Sequence, residues 1–133
     1  MDWTSQTKNF QAEQKVDSWM SDCIFCSIIN KQIPAAFLYE DEDIAAFSDT
    51  NPQAPVHILI VPKKHIPTVI DIEENSVDLI GKIYLVAKKL AFEQGISEQG
   101  FRVVVNCNHD AGQEVFHIHF HLLGGRKMTW PPG

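Results

Sequence analysis

Positions 116 to 123 read Phe116-His117-Ile118-His119-Phe120-His121-Leu122-Leu123, and Gly124-Gly125 follow. Three of the chain's six histidines alternate there with bulky apolar residues. A period of two belongs to a β-strand rather than a helix. The run therefore predicts one strand, with the three imidazoles on one face and Phe116, Ile118, Phe120 and Leu122 turned into a core. Rings on that face repeat about every 6.6–6.8 Å, close enough for neighbours to engage adjacent oxygens of one small anion. Neutral imidazole is a good nucleophile near neutral pH, and a hydrogen bond to one ring nitrogen fixes the tautomer. Such a wall can divide its work among nucleophile, proton donor and oxygen ligand, or it can hold a metal.

A chain of 133 residues with 44% hydrophobic content fits one domain with a sizeable core. The net charge of −6, from 17 acidic against 11 basic residues, argues against a nucleic-acid polymer, whose backbone is bound mainly through cationic contacts. A single nucleotide met by local donors stays open. No stretch approaches the roughly 18 apolar residues of a membrane span, and residues 1–20 lack the apolar core of a secretion signal. The cysteines are Cys23, Cys26 and Cys107; an odd number without a signal favours a reduced, cytoplasmic setting over a disulfide scaffold.

Residues 1–20 are polar with scattered Trp3, Phe10 and Trp19, and Met20-Ser21-Asp22-Cys23 reads like a second start. An extension over 1–20 and a domain over 21–133 are expected. Ile24, Phe25, Ile28 and Ile29 recur at near-helical spacing and predict a short helix from Asp22 to Asn30, which Pro34 prevents from continuing. Phe37 to Glu40 and Ile44 to Phe47 predict a hairpin with an acidic turn, and Val56 to Val61 a strand on which His57, Leu59 and Val61 face together. Ile80, Ile83, Tyr84, Ala87, Leu90 and Ala91 mark one face of a long helix from about Glu73 to Gln94, with Gly95 as its left-handed cap. Phe101 to Cys107 completes the set. Five mostly antiparallel strands with one long and one short helix make an α+β domain.

The His-x-His-x-His run resembles the histidine triad superfamily of nucleotide hydrolases and transferases, most closely its nucleotide-binding Hint branch. The resemblance runs from Cys23 to Gly133. It is carried by Ile24-Phe25, Ile33-Pro34, Asp49-Thr50-Asn51-Pro52-Gln53-Ala54-Pro55, Pro62-Lys63-Lys64-His65, Gly112-Gln113-Glu114-Val115 and Trp130-Pro131-Pro132-Gly133. It implies a homodimer whose two sheets join into one of ten strands.

It also implies an activity: hydrolysis of P–N bonds in purine nucleoside phosphoramidates or lysyl-adenylates through a nucleotidyl-histidine intermediate, with no obligatory cofactor. His119 would be the nucleophile. His121 would contact the phosphate or orient the first ring, and His117 would lie on the leaving-group side. Backbone N–H groups from Gly112 to Val115 would hold phosphate oxygens, with Asn106 near phosphate and ribose and Asp49 on the ribose hydroxyls. Ile24, Phe25, Ile28, Phe47 and Leu59 would wall the base, and Trp130, on a tail reaching toward the partner, would help select the leaving group. Glu114 stands where a serine often sits in eukaryotic Hint proteins; a carboxylate there is expected to turn from the phosphate or meet a leaving-group amine. The rival readings are a dinucleoside polyphosphate hydrolase of the sister branch, against which the Trp-Pro-Pro-Gly ending speaks, and a nucleotide- or partner-binding module whose turnover is incidental.

Cys23-x-x-Cys26 has the spacing of zinc ligands. The same resemblance supplies His57 and His117 as the other two ligands of a structural zinc. Free buried thiols are the alternative. His65 reads as a surface or core histidine.

Overall fold

A computed structural model describes residues 22–133; the expected extension over residues 1–20 lies outside the described residues. Helix α1 spans Ile24–Ile29 and is capped by Cys23, whose Sγ accepts the Cys26 N–H at 3.3 Å. It buries Phe25, Cys26 and Ile28. Strands β1 (Phe37–Glu40) and β2 (Ile44–Ser48) form the predicted hairpin. Its acidic turn is fixed by Asp41, whose Oδ1 accepts the N–H groups of Asp43 and Ile44 at 2.8 and 2.9 Å. Strand β3 is Val56–Pro62 and helix α2 is Val77–Glu93. The first turn expected of α2 is a separate 3-10 turn, Glu74–Ser76. At its other end Ile96 N–H reaches Ala91 O at 3.0 Å and Gly95 N–H reaches Phe92 O at 3.1 Å, with Gly95 at φ +74°. This is the Schellman closure that the glycine's position predicts.

Strands β4 (Phe101–Val105) and β5 (Phe120–Gly124) complete one sheet of order β1-β2-β3-β5-β4, antiparallel at every pairing. Alternation along β3 separates two layers. Ile58 and Ile60 pack with Phe120, Leu122 and the α2 residues Ile83, Val86, Ala87 and Leu90. Leu59 and Val61 face the opposite way, against Phe25, Ile28 and Phe47. A long helix covers the first face of the sheet, whereas a helix of six residues covers only part of the second. That difference in cover leaves room for a cleft.

The histidine run is less regular than its period suggests. Ladder pairing begins only at Phe120, which has β3 on one side and β4 on the other. Ahead of it, Ile118 N–H donates to Ile66 O at 2.6 Å, so residues 117–118 follow the segment after β3 instead of the sheet. The inward side still holds Ile118, Phe120 and Leu122, but Phe116, expected in the core, is 48% exposed.

Candidate active site

The partly covered face opens into a cleft of about 700 Å³. Ile24, Phe25, Ile28, Phe47 and Leu59 supply apolar wall, while Asp49, Asn106, Gly112, Val115, His119 and His121 also line it. All of these are residues singled out by sequence. Trp130 is not among the lining residues and is 82% exposed. His117 is absent from the lining too; it is fully buried behind Phe25, whose ring stands edge-on to both His117 and His119.

Hydrogen bonds fix the tautomers. A carbonyl oxygen only accepts, so His119 Nδ1, 2.8 Å from His117 O, must be the N–H. Neutral His119 therefore carries its lone pair on Nε2. The N–H of Gln53 donates to His57 Nδ1 at 3.0 Å, which makes His57 Nε2 the donor to His121 Nδ1 at 2.9 Å. Asp49 Oδ2 lies 3.4 Å from the same His57 nitrogen, and Asn51 N–H holds its other oxygen at 2.8 Å. His121 in turn keeps its proton on Nε2. The rings of His119 and His121 are 5.0 Å apart, one offering a lone pair and the other an N–H.

Burial lowers the pKa of His119 and of His57, and it carries His121 down to about 4 with help from neighbouring His119 and His57. These rings are neutral at pH 7.

The loop before the histidines is braced by Gln113, which is almost fully buried. Its side chain donates to Pro67 O and Val115 O at 2.8 and 3.1 Å and accepts from Asn108 N–H at 2.8 Å. Of the four amides expected to hold an anion, those of Gly112 and Gln113 are used within the turn, bonding His109 O and Asn108 O. The N–H groups of Glu114 and Val115 meet no acceptor among the described residues. Gly112 adopts φ +83°, a conformation that other residues adopt only under strain.

A second cluster lies beneath the cleft, and it corrects the expected metal set. The ligand atoms of Cys23, Cys26, His65 and His117 all fall within 4.8 Å of one another. His57 is elsewhere, both nitrogens engaged in the cleft. The reason is the path of the chain: β3 carries His57 past the cleft, and the turn after Pro62 brings His65 back over Cys26. Spacing along the sequence does not show which histidine returns.

His117 Nε2 donates to Pro62 O at 2.8 Å, so its Nδ1 lone pair faces the cluster. That nitrogen is 3.5 Å from both sulfurs and 3.2 Å from His65 Nδ1, and Cys26 Sγ is 3.2 Å from His65 Nδ1. A tetrahedral zinc with N at about 2.0–2.1 Å and S at about 2.3 Å sets its ligands about 3.3 Å (N to N) and 3.5 Å (N to S) apart. The His117–sulfur and His117–His65 separations match those edges, and the Cys26–His65 separation of 3.2 Å is slightly shorter. The Cys26 thiol donating to Cys23 holds Cys23 well below the ordinary thiol range and pushes Cys26 above it. Cys107 lies apart from this cluster and is half-buried.

The chain belongs to the HIT domain family, whose sequence model matches residues 30–128. It is 49% identical to an uncharacterized HIT-like protein of Synechocystis over 84% of this chain and 97% of that protein. Among solved structures it resembles a HIT family hydrolase from Legionella pneumophila, with 55% identity, TM-score 0.82, and coverage of 84% of this chain and 99% of that one. It also resembles a histidine triad nucleotide-binding protein from Candida albicans, at 35% identity, TM-score 0.71 and 82% of each chain.

Proposed function

We propose that this chain is a purine nucleoside phosphoramidase. The observation that carries the reading is the opposed tautomers of two adjacent rings: His119 with a bare Nε2, His121 with an Nε2–H, both lining one cleft. His119 Nε2 attacks the α-phosphorus of an adenosine 5′-phosphoramidate or related adenylate. A P–N(His119) bond forms as the P–N bond to the leaving amine breaks, and the amine departs with a proton. Water then adds to phosphorus, His119 leaves, and the nucleotide is released. His121 Nε2–H and the amides of Glu114 and Val115, unpaired among the described residues, are suited to oxygens that gain charge in each displacement. Asp49 and Asn106 serve the ribose and phosphate side, and the apolar wall takes the base. Neutral rings favour the nucleophile, because protonation would remove the Nε2 lone pair.

The test is hydrolysis of a fluorogenic tryptamine–adenosine phosphoramidate. The wild type is expected to turn it over, and His119→Ala to lose at least about 10³-fold in kcat while still binding AMP. Normal turnover by the variant would remove His119 from its role. A faster reaction with a diadenosine polyphosphate would favour the sister hydrolase.

Catalysis needs no cofactor in this scheme. We also propose a structural zinc at Cys23, Cys26, His65 and His117, a closed four-ligand site that would hold α1 to the loop after β3. The backbone carbonyl of His117 orients His119, so one residue would join the metal site to the nucleophile. A homodimer is proposed as well, supported by exposed Val77, Leu85 and Phe92 on α2 and by the outer edge of β4, unpaired among the described residues. Among the described residues no helix is long and apolar enough to cross a membrane, and the free cysteines suit a reducing cytoplasm.

A further inference from the structure

Glu114 borders two spaces. It lines the cleft beside His119 and also an adjoining cavity of about 420 Å³, and Ile24 and Val115 are the other residues that line both. Neither space has a lysine or arginine in its lining, and Glu114 has no ion-pair partner among the described residues. Glu114 thus brings a carboxylate to the border shared by the two spaces, with no lysine or arginine among the described residues lining either to neutralise it. Such a charge weakens binding of any substrate that brings only negative charge to that side, and strengthens binding of one that brings a cation there. The adjoining cavity also has apolar walls, from Ile24, Pro67, Val115 and Phe116, with Asp22 at its margin and Cys23 and His65 of the cysteine–histidine cluster completing its lining.

We propose that Glu114 selects the leaving group: an amine on a short alkyl chain that carries a second, protonated amino group. The methylenes would lie along Val115 and Phe116 and the ammonium would meet Glu114. This deepens the phosphoramidase reading and rests on it. The chemistry at phosphorus is unchanged; the P–N bond breaks and the diamine leaves with a proton.

Three adenosine 5′-phosphoramidates of matched chain length separate the cases: one of 1,4-diaminobutane, one of butylamine and one of 4-aminobutyrate. For the full chain, kcat/KM is expected to fall in that order, with the cationic amine preferred over the neutral one by about tenfold. Glu114→Gln should bring that ratio to near one. In the wild type the preference should also shrink as salt is raised, which requires no variant. An equal ratio in wild type and Glu114→Gln, or no preference in the wild type, would overturn the proposal while turnover of the butylamine compound left the phosphoramidase reading standing. Absence of turnover with all three would instead remove that reading.

Discussion

At the scale of single residues, the site is a set of histidines sorted by what each ring nitrogen touches. His57 and His65 differ by eight positions and by their entire surroundings: one bonds His121 in the cleft, the other faces Cys26 beneath it. Metal content distinguishes them. Protein purified without added metal is expected to carry about one zinc per chain; His65→Ala should lose most of it and His57→Ala should keep it. Loss of zinc from the His57 variant alone, or less than about a tenth of an equivalent in the wild type, would contradict the assignment. The three triad histidines and the cysteine pair were legible as residue types in a pattern, whereas Asp49 and the apolar wall were expected only from the family resemblance. The division of labour was not legible. Which histidine of a strand-and-turn segment meets Cys26 depends on how the chain turns after Pro62, and the role of Gln113 depends on three backbone groups up to 46 positions away.

Elements were legible where local physics decides them. The helix, the acidic hairpin turn and the glycine after α2 each have a local cause and were found where expected, except that Tyr84, assigned to the apolar face of the helix, is 50% exposed. Gly95→Ala tests one such cause. With φ at +74° and no atom within 4 Å of an added Cβ, the cost is conformational alone, about 1–2 kcal/mol in denaturant unfolding with turnover unchanged. A neutral effect would mean that the helix end does not need its left-handed residue. The histidine strand was predicted too long because periodicity reports which way side chains point, and not whether a neighbour is present to pair. Alternation survives at Ile118, but ladder partners on both sides exist only from Phe120. The same limit applies to strand β4, expected to run to Cys107 and ending at Val105.

For the whole molecule, buried neutral histidines link folding to pH. His57 and His121 have folded pKa values below the ordinary 6.5, His121 at about 4, so the unfolded chain binds protons in that window that the folded chain does not. Their contribution is fully present above about pH 6.5 and declines as pH falls toward 4. Each fully linked group would add a slope of at most about 1.4 kcal/mol per pH unit, and partial exposure of His121 lowers its share. Thermal or urea unfolding across that range should show the decline, and His121→Asn should flatten it. An unchanged slope in the variant would assign the acid sensitivity to other groups. The central claim, a covalent intermediate on His119, is tested most directly by mixing enzyme with excess adenosine phosphoramidate, quenching within one turnover and mapping the mass of one adenylyl group by peptide mass spectrometry. The account predicts the added mass on the peptide containing His119 and none in His119→Ala; rapid hydrolysis with no adduct at any time, or an adduct on another residue, would contradict it.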